Sequence, residues 1–265
     1  MSLTLGTAPF AAQRAGVFNF DLAQSSPAHQ IYFVPDPRRL RAIVGDVVVL
    51  DTVRAQLLYE SNIPPRVYAP LEDYAMDAFT PTQTTSHCPF KGDASYWTFQ
   101  AGEREIPDLL WAYPEPIAAA PFLAGHAALY GNKVDAWLVE DDHVFAHLRD
   151  PFHRVDVHDS SRGLVVRVGG EEILRAAQHK LLFETGLPPR AYVPAAAVAP
   201  GLVTPGSGKR TLCPYKGETT YWTVAGVTDA AWSYDAPLAE AGRIQSHLSF
   251  DTELEGVEVD IGGQP

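Results

Sequence analysis

The stretch Cys88-Pro-Phe-Lys-Gly-Asp-Ala-Ser-Tyr-Trp-Thr98 returns as Cys213-Pro-Tyr-Lys-Gly-Glu-Thr-Thr-Tyr-Trp-Thr223, an offset of 125 (213 minus 88). Seven of the eleven positions are identical and the other four replacements are mild. Upstream, Glu60-Ser-Asn-Ile-Pro-Pro-Arg-Val-Tyr-Ala-Pro70 matches Glu184-Thr-Gly-Leu-Pro-Pro-Arg-Ala-Tyr-Val-Pro194 at an offset of 124 (184 minus 60). Downstream, Trp111-Ala-Tyr113 matches Trp232-Ser-Tyr234 and His126 matches His247, now at 121 (232 minus 111), because a hairpin loop is shorter in the second copy. A loop is where a length change is tolerated. The period is well beyond the roughly 20–50 residues of solenoids and propellers, so the chain reads as one domain duplicated, each copy owning a core. The first copy is placed at 31–139 and the second at 155–265, joined by a charged connector, 140–154. Residues 1–30 form an arm without a counterpart.

Within each copy the local pattern is mainly β. Arg41-Ala-Ile-Val44 and Val47-Val-Val-Leu50 flank Gly45-Asp46, and Leu164-Val-Val-Arg-Val168 and Glu171-Glu-Ile-Leu174 flank Gly169-Gly170. β-branched runs about a two-residue glycine turn predict hairpins. Ser95-Tyr-Trp-Thr-Phe99 with Leu109-Leu-Trp-Ala-Tyr113, and their counterparts at 220–224 and 230–234, predict a second hairpin with aromatics at alternate positions. One short helix per copy is expected, over 116–129 (interrupted by Pro121) and over 237–247, carrying His126 and His247. A lone histidine there is more often a structural hydrogen-bond partner than a base.

Composition excludes several classes. A hydrophobic share of 46% with 20% charged residues belongs to a folding chain with a packed core. The net charge of −12, with pI near 5.1, repels phosphate backbones and anionic lipid, so neither nucleic acid nor membrane is an expected partner. No leader-like or membrane-length apolar stretch is read, and a cytoplasmic protein is expected. One cysteine per copy, at equivalent positions, argues for two free thiols and against a four-ligand zinc site, so no metal is assigned; no cofactor or oligomeric state is read.

The motifs Glu-x-x-x-Pro-Pro-Arg-x-Tyr, Cys-Pro-[Phe/Tyr]-Lys-Gly-x-x-x-Tyr-Trp and Trp-x-Tyr resemble the family described as domain of unknown function 427, also labelled nucleotidyltransferase-like, here as a tandem pair covering nearly the whole chain. The resemblance implies two homologous small, mostly antiparallel β domains, tent-like around a cleft. It implies no substrate.

The repeated residues define the candidate site. Cys88 and Cys213 lie three residues before Lys91 and Lys216, so a tight turn would bring ammonium near sulfur and favour thiolate; these four are the catalytic candidates. The competing reading is a buried thiol beside an ordinary Pro-x-Lys-Gly turn. Glu60 with Arg66, and Glu184 with Arg190, flank a stiff Pro-Pro step and would present a carboxylate and a guanidinium at fixed separation, or else form a salt bridge that pins a loop. Tyr68, Tyr96, Trp97, Tyr192, Tyr221 and Trp222 complete the ligand-binding candidates, with one ring of each Tyr-Trp pair facing the core and its neighbour the opposite side. His87 has Leu212 as its counterpart and, adjacent to Cys88 on a strand, points the other way, so no Cys/His dyad is read.

Three function classes fit these residues. The first is binding of a small polar or anionic ligand in a cleft lined by Glu, Arg, Tyr, Cys and Lys, with any reaction unassigned. The second takes the nucleotidyltransferase label literally and depends on Glu72, Asp73 or Asp77, which the second copy replaces with an alanine-rich stretch; the chain lacks a phosphate-cradling glycine loop. The third is a non-catalytic structural or interaction module whose shared motifs are turn and core determinants.

Overall fold

The computed structural model describes residues 3–13, 16–19 and 29–262. The chain divides into two compact units at Asp150/Pro151. In the first, the strands are β1 Ile31–Pro35, β2 Leu40–Val44, β3 Val47–Thr52, β4 Gln56–Glu60, β5 Ile63–Pro70, β6 Phe79–Cys88, β7 Gly92–Ala101, β8 Arg104–Ala112, β9 His126–Leu129, β10 Ala136–Val139 and β11 Asp142–His143. They form a large antiparallel sheet, β1-β4-β5-β9-β8-β7-β6, and a small one, β11-β10-β2-β3. The second unit runs β12 Val155–Ser160, β13 Leu164–Val168, β14 Glu171–Ala176, β15 His179–Glu184, β16 Arg190–Pro194, β17 Val203–Pro205, β18 Leu212–Cys213, β19 Gly217–Val224, β20 Val227–Tyr234, β21 His247–Phe250 and β22 Val257–Ile261. Its large sheet, β12-β15-β16-β21-β20-β19-β17 with β18 on β19, and its small sheet, β14-β13-β22, repeat the same order.

The hairpins predicted about Gly45-Asp46 and Gly169-Gly170 are β2-β3 and β13-β14, and β2 and β13 alternate buried and partly buried positions as a half-covered strand should. In the first unit a core drawn from both sheets packs Ala42, Val44, Val49 and Leu50 against Ala69, Phe99, Leu109 and Ala127. A second cluster, including Leu58, Tyr68, Ala94, Trp111, Tyr113, Leu123 and Ala128, lies on the other face of the large sheet. Both faces of β8 are therefore covered, and its last four residues, Leu109 to Ala112, are all buried.

The expected helices are instead short 3₁₀ turns, Pro121–Leu123 and Ala239–Ile244, and His126 and His247 open strands β9 and β21. The apolar three-residue spacing of Ala120 and Leu123, and of Ala241 and Ile244, is the buried underside of such a turn. A longer helix is stopped by Gly125 at φ +74° and Ser246 at φ +55°, in the left-handed region.

The stretch read as a connector divides between the units. Up to Asp150 it belongs with the first: Asp142–His143 pair with β10, Tyr59 Oη donates to Asp150 Oδ1 at 2.7 Å, and Arg38 reaches the Arg149 carbonyl at 3.2 Å. From Pro151 it belongs with the second. Of the arm, Thr4, Ala8 and Ala11 are buried, and the Asn62 N–H donates to the Thr4 carbonyl at 3.3 Å. Among the described residues no helix is long and apolar enough to cross a membrane.

Candidate functional site

Period-two geometry sorts the motif residues onto faces. On β5, Tyr68 joins the outer cluster and Ala69 the inter-sheet core; on β8, Trp111 joins the outer cluster and Ala112 the core. Tyr96 packs with the outer cluster and Trp97 with the core, and Trp222 likewise packs into the core of the second unit. Within the first unit the structure therefore gathers Glu60, Arg66, Tyr68, Cys88, Lys91 and Tyr96, within the second, separately, their counterparts, and it leaves Trp97 and Trp222 on the opposite side of their sheets as core residues. They form a sheet face; a groove of about 560 Å³ in the second unit is lined instead by residues including Asp159, Gln178, His179 and Pro194.

Glu60 does not pair with Arg66. Lys91 Nζ donates to Glu60 Oε2 at 2.6 Å, and His29 Nε2 stands 3.1 Å from Oε1, with the Glu60 side chain 5% and the Lys91 side chain 11% exposed. The second unit repeats the cluster: Lys216 Nζ binds Glu184 Oε2 and His153 Nε2 stands 3.0 Å from Oε1. Charges this deep are tolerated only when paired and hydrogen-bonded, which both carboxylates are. Burial alone would raise the Glu184 carboxyl, but the His153 hydrogen bond and the Lys216 ammonium outweigh it and hold it at about 2.

His29 and His153 are the members of this cluster missed in the sequence. The available signal was Pro27-Ala-His29 recurring as Pro151-Phe-His153 at the same offset of 124 as the Glu-Pro-Pro-Arg motif (153 minus 29). Each imidazole lies on the aromatic ring of the Cys-Pro-x-Lys-Gly motif: His29 on Phe90 at 4.0 Å between centroids, His153 on Tyr215 at 3.9 Å.

The motif is thus a turn that delivers three contacts. The Lys91 N–H donates to the Cys88 carbonyl at 3.2 Å, closing the turn, and the ring and the ammonium then reach the histidine and the carboxylate. Gly92 sits at φ +112° and Gly217 at φ +110°; a Cβ would meet the Glu115 carbonyl at 3.2 Å in the first unit and the Ala236 carbonyl at 3.1 Å in the second. Both the dihedral and the approach of backbone require glycine. Cys88 and Cys213 are half-buried free thiols on this face, but the ammonium expected to serve them is held by a carboxylate.

Beyond the cluster runs a row of rings. Trp111 Nε1 donates to Tyr68 Oη at 3.3 Å, and Trp232 Nε1 to Tyr192 Oη at 3.2 Å; burial raises both tyrosines above the usual phenol range. Tyr96 pairs across strands with Trp111, and Tyr221 with Trp232. The Tyr96 hydroxyl is 2.6 Å from Ser86 Oγ, and that of Tyr221 is 3.2 Å from Thr211 Oγ1. Among the described residues Arg66 and Arg190 make no ion pair; the Arg190 guanidinium lies over the Trp232 ring at 5.2 Å.

Two of the three acids on which the nucleotidyltransferase alternative rests, Glu72 and Asp73, are engaged by Arg54. Arg54 pairs with Glu72 at 2.7 Å and with Asp73, and Thr52 Oγ1 also donates to Asp73 at 2.6 Å. Among the described residues no three His, Cys, Asp or Glu side chains are grouped to share a metal ion. His87 pairs with Asp93 at 2.6 Å, away from Cys88, and His126 stands 3.1 Å from the Ala124 carbonyl.

A family model described as Domain of unknown function (DUF427) matches residues 32–140 and again residues 156–261. No curated protein matches the chain.

Proposed function

We propose a function from the premise that the chain belongs, through both of its halves, to the family described as domain of unknown function DUF427: each unit binds a small polar or anionic molecule on the sheet face that carries Arg66 or Arg190. The observation that carries this reading is the choice of ion-pair partners. Glu60 and Glu184 take the lysines, so each face keeps a guanidinium that no carboxylate among the described residues neutralises. A guanidinium presents its donors in a fork matched to carboxylate or phosphate, and beside tryptophan and tyrosine it stays accessible and oriented. Lys91 and Lys216 act in this reading as neutralised supports that hold the turn, and Cys88 and Cys213 are polarisable neighbours of the ligand.

The test is calorimetric titration with benzoate, citrate and inorganic phosphate. At least one should bind the native protein and lose tenfold or more in the Arg66→Gln/Arg190→Gln double variant, since a hydrogen bond to a charged group contributes roughly 1.5–3 kcal/mol. Binding that survives the double variant, or no binding of any of the three, overturns the reading.

A further inference from the structure

The two faces are not equivalent at their rims. In the second unit the row across β16, β20 and β19 reads Arg190, Trp232, Tyr221, with Lys209 at its far end: the guanidinium lies over the indole at 5.2 Å and Lys209 Nζ over the phenol ring at 4.5 Å. Two cations thus flank two adjacent, half-buried rings. Asp229 on that rim accepts from the Ser207 N–H at 2.8 Å and Oγ at 2.6 Å and also feels the Lys209 charge.

In the first unit the same row is closed. Thr84 stands where the second unit has Lys209, and Tyr130 where it has Asp251. The Tyr130 ring lies on Trp111 at 4.4 Å between centroids and is held from beyond by Lys133, whose Nζ is 4.8 Å from its centre and donates to the Pro107 carbonyl at 2.9 Å. Trp111 is left 8% exposed, whereas Trp232 remains half-buried.

We infer that the second unit takes an anion borne on a planar aromatic ring, the ring stacking on Trp232 and Tyr221 and the charge meeting Arg190 and Lys209, and that Tyr130 bars the same ligand from the first unit. The inference rests on the anion-binding reading above and adds the ligand class and the residue that separates the two sites. Ring stacking and cation contacts are linked here: Arg190 and Lys209 lie over these ring faces, and a planar ligand that takes their place there keeps its carboxylate or phosphate within their reach.

The experiment uses the full chain, with 1-naphthoate as the planar probe and cyclohexanecarboxylate as a non-planar one of equal charge. The expected result is one equivalent of 1-naphthoate per chain, weakened tenfold or more by Arg190→Gln or Lys209→Gln, with cyclohexanecarboxylate binding at least tenfold more weakly. Tyr130→Ser should add a second equivalent that Arg66→Gln then removes. The reciprocal variant Asp251→Tyr, which sets a ring beside Trp232, should abolish the native equivalent and covers the case in which Tyr130→Ser does not fold. Two equal equivalents in the native chain, equal binding of the two probes, or insensitivity to Asp251→Tyr overturns the inference while leaving the anion site standing. Absence of 1-naphthoate binding also overturns it, and overturns the broader reading only when benzoate, citrate and phosphate fail as well.

Discussion

Glu184 is the residue whose environment makes the sharpest demand on solution conditions. Its carboxyl is held at about 2 in the folded chain, below an ordinary value of 4.5, so the folded state favours the ionised form. The stabilisation is fully present above the ordinary value and is lost as pH falls from about 4.5 through about 2; with 1.36 kcal/mol per unit it amounts to about 3 kcal/mol. Acid unfolding of the native chain between those limits should therefore be steeper than that of Glu184→Gln, as followed by far-ultraviolet circular dichroism. Lys216→Met leaves the same carboxylate buried without its cation, and a loss of about 3–5 kcal/mol is expected at neutral pH, largely restored when Glu184→Gln is added. The thiols give a third measurement. Since Lys91 and Lys216 are committed to carboxylates and both thiols are half-buried, maleimide should label Cys88 and Cys213 more slowly in the native protein than in urea; equally fast labelling of the native state would return the lysines to a catalytic role.

At the scale of elements, strands were legible in the sequence where period-two alternation and glycine turns coincide, as at Leu40–Val44 and Leu164–Val168, and both hairpins form where expected. The segments before β9 and β21 were not, because Ala241 and Ile244 satisfy 3₁₀ spacing as well as α-helical spacing and only the left-handed residue at the end decides between them. That residue is Gly125 in one unit and Ser246 in the other, and the difference is testable. A non-glycine residue at φ +55° carries a steric cost that glycine avoids, so Ser246→Gly should stabilise the second unit by up to about 1 kcal/mol, whereas Gly125→Ser should destabilise the first by a similar amount in urea unfolding. The ion pairing was legible only in part. Sequence spacing put Glu60 near Arg66, but on β4 and β5 their backbones run past one another and the carboxylate turns toward the Lys91 turn.

Across the whole molecule the duplication was legible from the motifs, whose seven identities over Cys88–Thr98 include the buried turn residues Lys91 and Gly92. The partition of the chain between the units was less so, because composition marked 140–154 as charged while the contacts of Asp150 and His153 belong to different units. Expression of 151–265 alone should give a cooperatively unfolding protein, and starting the same piece at Val155 should cost about 1–3 kcal/mol, because it removes the His153 hydrogen bond from a buried carboxylate. Equal stability of the two pieces would show that His153 is dispensable. The spacing within each cluster carries one more consequence. His29, Glu60 and Lys91 are separated by 31 and 31 residues, and His153, Glu184 and Lys216 by 31 and 32, so each carboxylate ties together the ends of two consecutive loops. Closing loops of that length costs about 3 kcal/mol of chain entropy apiece, and the charges lose their hydration only when the surrounding sheet has assembled. The clusters therefore close late on the folding route and act as latches against its reversal. A weakened latch leaves the folding rate nearly unchanged and, for a loss of about 3 kcal/mol, lets the native state unfold on the order of 100-fold faster.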